Sequence, residues 1–177
     1  MQGKRILTFL KAIFARTPID RARRNHGLEH ATVTVLTEKI KGLRLSGRAT
    51  SRGFFIYGNV DTDELRNAAQ EALQRMRNGE AHLAIHPNCG TSLVAKGMAA
   101  ALAAYVGFIG ASTLMGRWRR LPQVTLLSTL AVVAGHPIGM FLQEHITTSA
   151  EVRDMRIAGI QRIESNNSVR HFVRTEG

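Results

Sequence analysis

Two uncharged apolar runs constrain this chain more than any other feature: residues 97–115 (GMAAALAAYVGFIGASTLM) and 121–142 (LPQVTLLSTLAVVAGHPIGMFL), joined by Gly116-Arg-Trp-Arg-Arg120. Each is about 20 residues long, the length at which an α-helix rising 1.5 Å per residue crosses a ~30 Å hydrocarbon core. A soluble helix of that length normally shows a charged stripe, and neither run has one. The pair predicts a transmembrane helical hairpin over 93–145, with Trp118 among arginines as an interfacial anchor. Gly97, Gly107, Gly110 and Ser112 allow close helix approach. The alternative is a buried hairpin in an α-rich soluble protein. His136, followed by Pro137, is either a polar residue at a helix break or a functional intramembrane group.

The chain has 177 residues, with 24 Lys and Arg against 13 Asp and Glu, a formal charge of +11. Such a balance suits an anionic partner, and membrane lipids are the expected one. The basic residues fall into separated groups with few aromatics between them, so no nucleic-acid partner is expected. A single cysteine, Cys89, excludes an intrachain disulfide and reads as a ligand, a nucleophile or a buried thiol in a reducing compartment. Residues 6–15 follow Lys4 and Arg5 like a signal-peptide core, but Lys11 interrupts them and no small-x-small site follows. Residues 1–24 are therefore expected to form a basic amphipathic N-terminal helix.

A metal-binding α+β domain is expected over 25–92. Residues 25–36 (NHGLEHATVTVL) predict a helix with Asn25 as N-cap. Residues 43–48 and 53–60 predict two strands joined by a turn over 49–52. A second helix follows over 61–77, with acids in its first turn, a 3.6-residue apolar stripe and Asn78-Gly79 at its end. Residues 82–85 predict a short strand, and His86-Pro-Asn-Cys-Gly-Thr91 a tight turn. Residues 146–177 predict a β-hairpin completing the sheet, its strands separated by Ser165-Asn-Asn-Ser168. The fold class is thus α+β: a small antiparallel sheet with two helices packed on it and an inserted two-helix hairpin. His145 and His171 are expected on the surface.

The chemistry lies in His26-Gly-Leu-Glu29-His30, an HxxEH pattern. On a helix the two imidazoles at i and i+4 share one face and can reach one cation, with Glu29 beside them as general base. The competing reading is a solvated helix face with Glu29 paired to arginine. A third ligand must come from elsewhere, and the turn offers Cys89, a strong ligand for Zn²⁺ or Fe²⁺, and His86. Cys89 is the expected ligand. His86 is a hydrogen-bonding neighbour of the site or an alternative ligand.

The pairing of His26-Gly-x-Glu-His30 with His86-Pro-x-Cys-Gly-Thr91, followed by apolar spans, resembles the YqhQ-type bacterial membrane proteins, which are described as metal-dependent enzymes. That resemblance covers roughly residues 25–142 and implies the bacterial inner membrane. More distantly, residues 25–91 resemble S-ribosylhomocysteine lyase, of the fold shared with the processing-peptidase metallohydrolases. It implies His26, His30 and Cys89 as metal ligands and Glu29 as the acid/base. The lyase has a catalytic cysteine before its Gly-Phe strand, where this chain has Thr50, Ser51 and Arg52.

The expected function is a membrane-anchored metal-dependent enzyme, a hydrolase with unknown substrate, using Zn²⁺ or Fe²⁺. The alternative is a non-catalytic assembly or scaffold protein with a structural metal site. The soluble part is expected in the cytoplasm, although Arg117, Arg119 and Arg120 place positive charge in the opposite loop. A homo-oligomer is left open.

Overall fold

A computed structural model describes residues 17–165 and 168–177; of the N-terminal helix expected over 1–24, residues 1–16 lie outside them, and 18–24 are the start of a longer helix rather than a separate one. The chain divides into two compact units, one ending at Ile85 and resuming at Thr147, the other spanning His86–Ile146.

In the first unit, helix α1 runs Pro18–Lys39. The expected start at Asn25 is corrected by seven residues. Thr17 is the cap, its hydroxyl accepting from the Asp20 amide at 3.1 Å, and Pro18 supplies the preset φ of a first helical position. That start is stronger than Asn25 and places Asn25 inside the helix.

Strands β1 (Ser46–Thr50) and β2 (Gly53–Tyr57) form a tight antiparallel hairpin. Helix α2 (Thr62–Arg77) begins as expected, because the Asp61 carboxylate accepts from the amides of Asp63 and Glu64. Those two bonds hold the Asp61 carboxyl below its ordinary pKa.

Residues Ala81–Ala84 form a 3₁₀ turn rather than the expected strand. The Leu83 amide bonds back to the Glu80 carbonyl, and Glu80 is itself tied to Arg75 at 2.9 Å. Strands β3 (Arg156–Ser165) and β4 (Ser168–Glu176) form the expected terminal hairpin; its loop residues 166 and 167 lie outside the described residues.

The sheet order is β1-β2-β4-β3, antiparallel throughout, so β4 inserts beside β2 with Phe54 opposite Val173 and Ile56 opposite His171. Helices α1 and α2 cover one sheet face. Leu28, Val35 and Leu36 pack with Leu65, Ala72 and Met76 over Phe54, Ile56 and Val173, all buried. The period-2 alternation of β2 and β4 sends Phe55 and Phe172 to the other face, where their rings pack with centroids 4.7 Å apart and planes tilted by 40°.

The second unit is a helical hairpin of α3 (Gly90–Phe108) and α4 (Leu114–Leu142), closed by a π-helical turn Gln143–Thr147. Both helices are long and apolar enough to cross a membrane. Their outer surface is built of exposed Leu102, Tyr105, Leu126, Leu130 and Val133, among others. Gly135 and Gly139 let the backbones meet: a Cβ on Gly139 would lie 2.6 Å from the Ser92 Cα.

The connection lies at 109–113, not at the expected 116–120. Gly110 takes φ +80°, and the Thr113 hydroxyl caps α4 through the Gly116 amide. Arg117 and Arg120 therefore sit in the first turns of α4; Arg120 donates to the Gly107 and Ile109 carbonyls at the end of α3 and Arg117 to the Ala111 carbonyl in the connection. Helix α4 also runs unbroken through Pro137, so the expected break there is absent.

Candidate metal centre

The two histidines of the HxxEH pattern stand one turn apart on α1, with ring centroids 4.4 Å apart and planes at 61°. Each ring is fixed by a carbonyl. Nδ1 of His26 donates to Thr147 O and Nδ1 of His30 to Ala84 O, both at 2.9 Å. A carbonyl only accepts, so Nδ1 carries the proton, and in the neutral ring Nε2 holds the lone pair. This is the tautomer and orientation that a metal-ligating imidazole has when its other nitrogen is anchored. The 3₁₀ turn that replaces the expected strand supplies one anchor.

The motif glycine has a steric cause. A Cβ on Gly27 would lie 2.4 Å from the Ser149 carbonyl oxygen, so only glycine lets the segment after α4 run close along α1. That segment is strapped down by the residues just before the motif. The Ser149 amide bonds Arg23 O at 3.0 Å, and the Arg23 guanidinium reaches Thr148 O at 3.1 Å. Buried Arg24 donates to Glu151 O at 2.6 Å and pairs with Asp154. Asn25 donates to Thr50 O at 2.8 Å and accepts from the Thr175 hydroxyl at 2.6 Å, tying the helix to the sheet.

Glu29 is buried, and its carboxylate lies over Gly47 of β1. A Cβ at Gly47 would stand 2.0 Å from Oε1, so this strand glycine makes room for the acid. The strand was expected, but nothing in its spacing marked Gly47 as part of the site.

Cys89 and His86 belong to the second unit, although the sequence assigned them to a domain over 25–92. Cys89 is buried at the N-cap position of α3, where the helix favours negative charge. Its turn is closed by the Cys89 amide on His86 O, and the Asn88 amide donates to Nδ1 of His86 at 3.2 Å. The Asn88 bond uses the Nδ1 lone pair of His86.

One side chain that sequence reasoning missed brackets this turn. Gln143 is fully buried; its oxygen accepts from the His86 amide at 3.0 Å and its nitrogen donates to the Ser92 hydroxyl at 2.7 Å. It thereby holds the chain three residues before and three residues after Cys89. Its only signal in the sequence was a lone amide at the end of an apolar run.

The remaining four histidines divide, and His82 is exposed in the 3₁₀ turn. His136 is exposed on α4, and exposed His145 stacks on Phe141. His171, expected on the surface, is fully buried on the core face of β4, with Nε2 3.0 Å from the Thr62 hydroxyl. Burial, helped by nearby Arg162, pushes its pKa down.

A family model described as a domain of unknown function, DUF6391, matches residues 21–160, and the chain belongs to that family. An uncharacterized protein of Picosynechococcus sp. is 33% identical over 165 residues, covering 86% of this chain and 78% of its own length. No solved structure matches the chain.

Proposed function

We propose that this chain is a membrane-anchored metal-dependent enzyme, a hydrolase, in which His26, His30 and Cys89 hold one Zn²⁺ or Fe²⁺ and Glu29 is the general base. The observation that carries the reading is the pair of carbonyl-anchored imidazoles on α1, each presenting Nε2 as its basic nitrogen. Two histidines and one cysteine are a donor set able to hold such an ion, and they leave a fourth position for substrate or water. A bound ion supplies Lewis-acid polarisation of a carbonyl and acidification of water. Glu29, buried beside the histidines in sequence and fixed over Gly47, takes up and returns the proton.

The apolar outer surface of α3 and α4 supports insertion in a bilayer. We assign the hairpin to a bacterial inner membrane with the first unit on its cytoplasmic side. The substrate class that fits a site so placed is a peptide, or a lipid-linked amide or ester. The test is hydrolysis of peptide and acyl-lipid panels by metal-loaded protein in vesicles. Glu29→Gln is expected to retain the metal and lose turnover, and turnover equal to wild type in that variant would refute the assignment of the base. Labelling of Ser112→Cys by an impermeant maleimide only from outside intact cells fits the orientation, and protection there contradicts it.

The scaffold reading requires a closed site with a fourth protein ligand. His86 is the residue of the turn that could fill that position, and the bond from the Asn88 amide to its Nδ1 counts against that role.

A further inference from the structure

A cavity of about 160 Å³ opens in the first unit between the N-terminal turns of α1, the β1–β2 turn and the end of β4. Its polar wall is Arg21, Arg24, Asn25, Ser51, Arg52 and Glu176, none of them a ligand or the base of the metal centre proposed above. Half of this wall is already committed. Buried Arg24 donates to Glu151 O and pairs with the Asp154 carboxylate, and the Asn25 amide is bonded at both ends, to Thr50 O and the Thr175 hydroxyl. Glu176 accepts two bonds from Arg156, at 2.7 and 3.0 Å, and a longer one from Arg174.

The other half is not. The guanidiniums of Arg21 and Arg52 and the hydroxyl of Ser51 have no hydrogen-bond or ion-pair partner among the described residues, and no ion pair joins Gly177, which also borders the cavity, to either arginine. With the neighbouring acid neutralised, the wall carries two uncompensated cations and one hydroxyl. Both cations stand on fixed backbones. The Arg52 amide donates to the Thr50 hydroxyl at 3.3 Å and its carbonyl accepts from the Thr175 amide at 3.2 Å, while the Arg21 amide bonds Thr17 O within α1 at 2.9 Å. Two like charges carried into one cavity from two elements repel until an anion lies between them, so the site is prepared for one.

We propose that this cavity binds a terminal phosphate group, held by the guanidiniums of Arg21 and Arg52 with the Ser51 hydroxyl donating a third bond. A phosphomonoester carries a charge of about −1.5 to −2 at pH 7 and three strong acceptor oxygens, which matches two guanidiniums and one hydroxyl. A carboxylate offers one charge and two oxygens in one plane, which a single arginine already serves, and it would leave the second cation unpaired. Soluble phosphomonoesters and the headgroup of phosphatidic acid both present such a terminal phosphate.

The experiment is isothermal titration of the full chain in detergent at constant ionic strength, so that screening stays fixed. The probes are inorganic phosphate, glycerol phosphate and dihexanoyl phosphatidic acid, with acetate and dihexanoyl phosphatidylcholine as controls. Saturable binding of the phosphate probes to one site is expected, with both controls at least about tenfold weaker. Phosphatidic acid bound more tightly than glycerol phosphate names a lipid source, and equal or weaker binding a soluble one. Arg21→Gln and Arg52→Gln should each weaken binding by about tenfold and together abolish it, whereas Arg153→Gln, an exposed arginine outside the cavity, should leave it unchanged. Absence of saturable phosphate binding by wild type, or acetate bound as tightly, overturns the site. Affinity that survives in the double variant also overturns it, because the phosphate is then held elsewhere, the metal centre included.

Discussion

Replacing Gly47 by alanine tests whether the Glu29 carboxylate is held in place. The added Cβ would stand 2.0 Å from Oε1, 2.3 Å from Cδ and 2.7 Å from Cγ of Glu29, against an ordinary contact of 3.4 Å or more. The carboxylate must therefore retreat by about 1.4 Å, the difference between 3.4 and 2.0 Å. Glu29 is buried, so it cannot simply swing into water. Overpacking of this kind costs about 1–3 kcal/mol. In a Glu29→Ala background the obstacle is gone, and the same substitution should be neutral or stabilise by roughly 0.4–1 kcal/mol through the unfolded chain. Thermal unfolding of detergent-solubilised single and double mutants closes the cycle, with an expected coupling of about 1–3 kcal/mol. A coupling below about 0.5 kcal/mol would show that the acid gives way freely, and the argument for a positioned base would fail.

Two motif glycines should behave oppositely: Gly27→Ala strikes the Ser149 backbone and should lower the melting temperature and metal retention, whereas Gly90→Ala meets nothing within 4 Å and should be tolerated. Gln143→Leu removes both bonds that bracket Cys89 and should weaken metal affinity by about 10–100-fold in chelator competition; unchanged affinity would leave Gln143 a packing residue. Because the folded pKa of His171 lies below its ordinary 6.5, the unfolded state binds more protons between the two values. Its contribution to stability is therefore complete above pH 6.5 and lost as pH falls toward the folded pKa, and denaturation of His171→Asn against wild type should show that part of the acid limb flattened.

Several features were legible because one local signal decided each of them. Asp61 with its acidic first turn announced α2, the aromatic and β-branched run in residues 53–57 announced β2, and the two uncharged runs announced the hairpin. The HxxEH pair was legible from spacing alone. The misreadings came where a local pattern was ambiguous or a tertiary contact decided. Asn25 is a good cap, but Thr17-Pro18 stands upstream and Asn25 was needed between Thr50 and Thr175. His82-Leu-Ala-Ile85 is a short, largely apolar stretch that reads like a strand, yet the chain there turns, and Ala84 offers its carbonyl to His30. The burial of His171 follows from alternation on β4, which places it on the same face as Val173 once the helices are known to cover that side. Gln143 and Gly47 were invisible, since their roles arise from contacts 51 to 57 residues away, or from a different element.

The central claim is that one metal ion is held by His26, His30 and Cys89. Elemental analysis of detergent-purified wild type beside His26→Ala, His30→Ala and Cys89→Ala tests it most directly. The account predicts about one equivalent of zinc or iron in the wild type and loss of most of it in each variant. Stoichiometric metal that survives in a His26→Ala/His30→Ala double mutant would contradict it.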